Sequence, residues 1–152
     1  MRTRAAALIL SAAVLCACAP TAPKGVDKAA LDDAVSRAIG DPGTCVLIAK
    51  GDKLVYRYGS NVVCGRTLPA CDQSVPRTLA DLLAAAPAVG QPRTASCRSN
   101  AQGTRVVAWA AGPIEGGDLV YAAVMEGDEV PPGVIIADKL KTAFTRAGMG
   151  AK

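Results

Sequence analysis

The residues of this chain with the most definite chemistry are its six cysteines. Four of them lie in the body of the chain: Cys45, Cys64, Cys71 and Cys97. The chain contains no histidine, so the commonest general base and metal ligand of proteins is missing. Because a thiol needs an activating neighbour to become a good nucleophile, we expect these four cysteines to be structural. We expect no metal site and no cofactor.

The N-terminal segment has the features of a bacterial export signal. Two arginines precede an apolar stretch, 5–15, which is too short to span a bilayer as a helix. The tetrapeptide that ends this segment, Leu15-Cys16-Ala17-Cys18, resembles the lipobox of bacterial lipoproteins, in which a small residue precedes the cysteine that receives the lipid. We therefore expect lipid attachment at Cys18. Plain secretion, with cleavage after Ala17 or Ala19, is the alternative.

This signal predicts the organisation and the cellular address of the chain. Residues 1–17 would be the lipoprotein signal peptide and 18–25 a flexible tether, because proline and small polar residues cannot build a core. Residues 26–149 would form a single domain. We expect a lipid-anchored protein of the bacterial cell envelope, held at the outer membrane and facing the periplasm.

An oxidising compartment favours two disulfides among the four remaining cysteines. Three pairings are possible. A local Cys64–Cys71 bridge would close a short loop and leave Cys45 with Cys97, and this pairing is slightly preferred. The crossed pairing, Cys45–Cys64 with Cys71–Cys97, stays open.

The charge pattern excludes one class of partner. The net charge is +4, without a basic run and without aromatic residues interleaved among basic ones. A nucleic-acid-binding surface is expected to have both a basic run and interleaved aromatic residues. We therefore predict no nucleic-acid partner. An acidic turn at Glu126, Asp128 and Glu129 could hold a cation weakly, but we expect it to be solvated.

The elements that position these residues centre on a hairpin at 104–125. Two runs rich in valine, alanine and aromatic residues flank a turn dense in glycine, and both faces of each run are apolar. Such strands are typical of the centre of a sheet that is covered on at least one side. An earlier, less apolar hairpin, 44–49 with 54–58, should lie nearer an edge, with Leu54, Tyr56 and Tyr58 on one face.

Helical patterns flank these hairpins. Apolar spacing predicts an N-terminal helix at 26–40 and a C-terminal helix at 133–148. Thr78 followed by Asp81 predicts a capped short helix, and 94–98 a short strand. The sequence therefore predicts an α+β fold, in which about five mostly antiparallel strands pack against the two terminal helices.

This order of elements resembles the sheet half of the penicillin-recognising serine hydrolases, which include class D β-lactamases and penicillin-binding transpeptidases. One stretch that carries the resemblance joins the early hairpin, 45–58, to 68–79, which is similar to the start of the nucleophile helix. The other runs over 107–127 and continues into the final helix. The resemblance implies a helix-flanked sheet and marks the positions where catalytic residues would lie.

Those positions hold different residues in this chain. The family's Ser-x-x-Lys pair falls on Cys71 and Ser74, without a lysine, and its Lys-Thr-Gly strand falls on Thr94-Ala95-Ser96. The short segment between Ser74 and Thr94 leaves no room for the helical insert that carries the Ser-x-Asn element. Acyl transfer needs an activated nucleophile and donors for the oxyanion. The resemblance therefore implies a reduced relative without catalytic activity.

Three functions are compatible with these observations. We expect a non-catalytic envelope lipoprotein that acts as an interaction or accessory module and meets the membrane through its lipid, with another envelope protein or peptidoglycan as partner. The first alternative is a minimal serine or cysteine hydrolase using Ser74, Ser96 or a free Cys71, with Lys53 or Arg93 nearby. The second is a small-ligand sensor of the profilin-like or PAS-like type, which would need a pocket between sheet and helix.

Overall fold

The computed structural model describes residues 21–71 and 75–150. The elements of these residues are, in chain order, α1 (Lys28–Ile39), β1 (Cys45–Lys50), β2 (Lys53–Tyr58), α2 (Asn61–Cys64), β3 (Thr67–Leu68), β4 (Arg77–Thr78), α3 (Leu79–Ala84), β5 (Arg93–Arg98), β6 (Val106–Pro113), β7 (Leu119–Gly127) and α4 (Gly133–Arg146). The predicted signal peptide, Cys18 and Ser74 lie outside the described residues. Within those residues, no helix has the length and apolar character needed to cross a membrane.

Five of the strands form one antiparallel sheet in the order β2-β1-β7-β6-β5. The two predicted hairpins meet where β1 pairs with β7, so that the apolar second hairpin supplies the centre of the sheet. The first hairpin places β2 at one edge, and the short strand β5 forms the other. The predicted α+β fold class, with its N- and C-terminal helices, is confirmed. The short strands β3 and β4 pair with each other in a separate two-stranded sheet.

Both faces of the sheet are buried, and successive residues of β6 and β7 alternate between the two faces. The first face, which includes Ala108 and Ala110, packs against Val35 of α1 and Leu140 of α4. The second face, which includes Trp109, packs against α3 and the cysteine-containing loops. The first face therefore lies beneath the two long helices, and the second beneath the short helix α3 and the disulfide-bonded loops.

Local sequence signals account for the helix ends. The Asp27 carboxylate accepts a hydrogen bond from the backbone N–H of Ala30 at 2.7 Å and caps α1. At α3, Thr78 and Asp81 form the predicted capping box, with Asp81 accepting from the backbone of Thr78 at 2.8 Å. This backbone hydrogen bond lowers the pKa of the Asp81 carboxyl. Both caps were readable from the sequence, because each depends on residues only three positions apart.

The prediction that Leu54, Tyr56 and Tyr58 share one face of the first hairpin is wrong for Leu54. The pairing register shifts between Ile48, which faces Tyr56, and Ala49, which faces Leu54. Val55 is therefore the extra residue of a β-bulge. As a result Tyr56 packs on the first face and Leu54 on the second, although simple alternation would place them together.

The end of the predicted tether also differs from the expectation. Pro23 is buried, and its carbonyl accepts a hydrogen bond from the backbone N–H of Val26 at 3.0 Å. Val26 in turn packs against the core on the first face. The last residues of the predicted 18–25 tether thus belong to the folded domain, because Val26 gives this turn an apolar group to bury.

Candidate functional site

The four cysteines of the described residues form two disulfides, Cys45–Cys64 and Cys71–Cys97. The presence of two bridges agrees with the sequence analysis, but the slightly preferred local pairing of Cys64 with Cys71 is wrong. The physical reason is the single turn of α2, which follows β2 directly and folds Cys64 back onto the first residue of β1. The chain then continues through β3 towards the opposite edge of the sheet, where Cys71 meets β5.

The bridges bear directly on the hydrolase alternative. Cys71, the residue at the family's nucleophile position, is bonded to Cys97 and has no free thiol. It also precedes α3 by several residues, so it does not lie on a helix with a base one turn away. This position therefore cannot supply a thiolate nucleophile while the bridge is intact.

The remaining hydrolase candidates are not brought together. The Ser96 hydroxyl accepts a hydrogen bond from the backbone N–H of Gly133 at 2.9 Å and so caps α4. Arg93 is three residues away on the same strand and therefore projects to the opposite face. Lys53 lies on β2, at the other edge of the five-stranded sheet, about 19 Å away at the usual strand spacing. None of these basic groups is placed to activate Ser96.

The acidic turn after β7 is engaged in ion pairs. The Glu126 carboxylate pairs with Arg66 and lies 3.8 Å from the guanidinium of Arg105, which is 3.5 Å from Asp128. Two arginines thus neutralise these two carboxylates. Within residues 21–71 and 75–150, no group of three or more acidic or cysteine side chains is arranged to hold a metal ion.

A large concave surface lies on the second face, and we call it the α3 groove. It has a volume of about 570 Å³ and is walled by apolar side chains of the sheet, α3 and the loop after α3. The principal apolar residues are Leu47, Ala49, Leu54, Ala80, Leu83, Ala84, Ala86, Ala88 and Val120. Because α3 is only six residues long, it leaves part of β1 and β2 uncovered.

The charges of the α3 groove are concentrated at one end. Asp52 and Asp118 lie there, beside the β1–β2 turn. Asp118 pairs with Lys50 at 3.0 Å, and the hydrogen bond from Lys50 lowers the pKa of the Asp118 carboxyl. Asp52 forms no ion pair with any described residue. The groove is therefore an apolar surface with one uncompensated negative charge at its end.

A smaller cavity lies on the first face, and we call it the Tyr121 cavity. It has a volume of about 130 Å³ and lies between the sheet and the C-terminal half of α4. Its base includes Tyr121 and Phe144, whose rings meet edge to face with centroids 5.3 Å apart. Its rim carries the charged residues Glu115, Asp138 and Lys141. No local pattern in the sequence marks this cavity, because it joins four segments that are distant in the chain.

Comparison with known proteins adds no relative: no protein-family model, curated protein or solved structure matches the chain. The resemblance to penicillin-recognising hydrolases therefore stays a prediction.

Proposed function

We propose that the chain is a non-catalytic lipoprotein of the bacterial cell envelope and that its domain acts as an interaction or accessory module. The observation that carries the proposal is the pair of disulfides in a chain that begins with an export-type signal. Disulfides persist in the periplasm and are reduced in the cytosol, so both features favour the same compartment. The lipobox-like sequence at Cys18 adds the anchor.

The arrangement of the potential nucleophiles supports the absence of catalysis. The cysteine at the family's nucleophile position is bonded, and Ser96 is occupied in capping α4. A serine needs a base within about 3 Å to become nucleophilic, and neither Arg93 nor Lys53 lies on the same face and edge. These placements favour a role in binding over covalent chemistry.

The α3 groove supports a role in interaction. An exposed apolar concave surface of this size is typical of a site that contacts another molecule. Its occupant would be an apolar segment of another envelope protein with a basic residue at one end. The apolar walls would bury the segment, and the unpaired carboxylate of Asp52 would meet the basic side chain.

The anchor is tested by expressing the full chain and its Cys18→Ser variant in a bacterial host. We expect the wild-type chain to incorporate labelled palmitate and to fractionate with the outer membrane. The Cys18→Ser variant should lose the label and leave the membrane fraction, whereas Cys16→Ser should retain both. Equal labelling of the wild type and Cys18→Ser would contradict the anchor.

The absence of catalysis is tested with a fluorescent penicillin. The proposal expects no covalent adduct with the purified mature protein, with and without prior reduction, while a penicillin-binding protein in a parallel reaction is labelled. A fluorescent band that disappears in a Ser96→Ala or Ser74→Ala variant would establish the minimal hydrolase instead.

The groove is tested by photo-crosslinking in intact cells from a single labelled position. A photoreactive residue at Ala84, inside the groove, should join an envelope protein, whereas the same residue at Ala29 on α1 should not. Leu54→Lys should reduce the Ala84 adduct by placing a charge in the groove. Crosslinks to peptidoglycan alone, or equal adducts from the two positions, would refute a protein partner at this surface.

A further inference from the structure

The Tyr121 cavity owes its shape to a glycine opposite the tyrosine. Gly112 of β6 is the register partner of Tyr121 on β7. A Cβ atom on Gly112 would lie 2.7 Å from Cα and Cβ of Pro92, closer than side chains tolerate. The missing side chain therefore lets Pro92 close the cavity from the side of β5. The far side is closed by Met149 and Gly150, which follow α4.

The Tyr121 hydroxyl is a polar group that faces this cavity. The residue is only 3% exposed, but its hydroxyl is not among the fully enclosed unpartnered polar atoms of the described residues and is accessible from the cavity. The other fully buried tyrosine differs, since the Tyr56 hydroxyl donates to Asp32 at 2.9 Å. A hydroxyl that opens to a cavity in this way can take its hydrogen-bond partner from a ligand there.

The protonation state of Tyr121 suits such a partner. Burial, followed by the negative charge of Asp138, raises the pKa of Tyr121 above that of a free phenol. The side chain is therefore neutral at physiological pH. A neutral phenol can both donate and accept a hydrogen bond, so it can bind either an acceptor or a positively charged donor.

The charges at the rim decide between these two possibilities. Glu115 accepts a hydrogen bond from Lys141 at 2.7 Å, and this interaction raises the pKa of the lysine. The pair is thereby neutralised. Asp138 is left as the one carboxylate lining the cavity that forms no ion pair with the described residues. The cavity thus combines a negative rim with the aromatic walls of Tyr121 and Phe144, and both features favour a cation.

We propose that the Tyr121 cavity binds a small organic ammonium ion. Its positive group would lie between the Asp138 carboxylate and the Tyr121 hydroxyl, and its alkyl part would contact Phe144 and Met149. A protein cavity of about 150 Å³ is known to accommodate benzene, so a volume near 130 Å³ suits a ligand of about six or seven non-hydrogen atoms. The site goes beyond the proposed envelope function, because it uses neither the α3 groove nor Cys18.

The test uses three probes of the same shape and different charge on the mature protein. Choline is the cation, 3,3-dimethylbutan-1-ol its neutral isostere, and 3,3-dimethylbutanoate an anion of similar size. We expect choline to bind saturably, with an affinity about fivefold or more above that of the neutral alcohol, and the anion to bind least. The expected factor corresponds to one partly exposed charge interaction. Calorimetry and the shifts of the tyrosine ring signals in NMR would measure it.

Two conservative variants assign the contacts. Asp138→Asn should remove the preference for choline over the alcohol. Tyr121→Phe, which keeps the ring, should weaken choline binding, because it removes the phenol oxygen whose negative partial charge faces the trimethylammonium group. Matched controls on other parts of the fold, Asp33→Asn and Tyr58→Phe, should leave the affinity unchanged, with circular dichroism verifying that every variant is folded.

Several outcomes would overturn the proposal. Equal affinity for the cation and the alcohol, preference for the anion, or no saturable binding of any probe would each do so. Retention of the choline preference in Asp138→Asn would also refute the assigned contacts. An Ala84→Arg variant, which obstructs the α3 groove, should not alter choline binding, so failure of this proposal is distinguishable from failure of the groove proposal.

Discussion

The hydroxyl of Ser96 on β5 accepts a hydrogen bond from the backbone N–H of Gly133, the first residue of α4. The N-cap residue of this helix, Pro132, has no polar side-chain group and cannot cap it. A serine from the edge strand therefore takes the role that a neighbouring side chain usually has. The contact couples the start of the C-terminal helix to the sheet edge.

We predict that Ser96→Ala lowers the free energy of unfolding by about 1 kcal/mol, the usual cost of removing a capping hydroxyl. Urea denaturation would measure the change. Thr94→Ala, a neighbouring hydroxyl on the same strand, is the control and should have a smaller effect. Equal losses for the two variants would mean that the Ser96 hydrogen bond contributes nothing specific.

Gly133 gives a second prediction about the same contact. A Cβ atom there would lie 2.4 Å from the carbonyl oxygen of Trp109 and 2.9 Å from that of Ala95. Since backbone atoms cannot move aside easily, Gly133→Ala should destabilise the protein by about 1–3 kcal/mol, as expected for overpacking. Gly117→Ala is the control, because a Cβ there would meet nothing within 4 Å. Thermal melts would compare them, and similar melting temperatures would contradict the close approach of α4 to the sheet.

The disulfide pairing has a direct chemical test. Trypsin cuts after lysine and arginine, so each of the four cysteines falls on its own peptide: 38–50, 58–66, 67–77 and 94–98. Without reduction, mass spectrometry should find 38–50 joined to 58–66, and 67–77 joined to 94–98. Both pairs should separate on reduction. A 58–66 peptide joined to 67–77 would instead establish the local pairing.

Reduction should also weaken the fold. The Cys71–Cys97 bridge closes a loop with a sequence separation of 26 residues. Its removal in a Cys71→Ala, Cys97→Ala double variant should lower the free energy of unfolding by about 3 kcal/mol, because the unfolded chain regains conformational freedom. Chemical denaturation would measure the loss. An unchanged midpoint would show that the bridge does not restrain the unfolded state.

Stability should fall at alkaline pH. The pKa values of Tyr56 and Tyr121 are raised by burial, above the ordinary phenol value of 10.0. In the unfolded chain these phenols lose their protons near pH 10, whereas in the folded protein they keep them. The stabilising effect of the neutral phenols is therefore fully present below pH 10 and is lost as the pH rises above it.

Denaturation at a series of pH values from 8 upward would follow this loss. Tyr121→Phe should flatten the alkaline decline, since one of the two buried phenols is gone. Tyr58→Phe, which leaves both in place, is the control and should decline like the wild type. A Tyr121→Phe variant with an unaltered alkaline decline would contradict the burial of the Tyr121 side chain.

Much of the fold could be predicted because its signals are local. The two apolar runs of 104–125 predicted strands inside the sheet, and the spacing of Thr78 and Asp81 predicted the cap of α3. The bulge at Val55 could not be predicted, since it depends on how two strands align and not on either strand alone. Strand periodicity gives the faces of a strand only while the register is unbroken.

The candidate site was harder to predict for the same reason. The four bridging cysteines were identified, but their pairing depends on the path of α2 and β3 through space. The Tyr121 cavity depends on Gly112. The role of this glycine follows from its register with Tyr121, which the sequence alone does not reveal. Long-range pairings of this kind leave no periodic trace in a single sequence.

Pro23 and Met149, near the two ends of the folded domain, line a single surface cleft together with the β6–β7 loop. If the proposed lipid is attached at Cys18, Pro23 and Met149 would lie at the pole of the domain that is nearer the membrane. The nine residues of β7 run from that pole to the opposite one, a rise of about 30 Å. A label in the loop 99–105, at that opposite pole, would then lie farther from the membrane than one beside Met149.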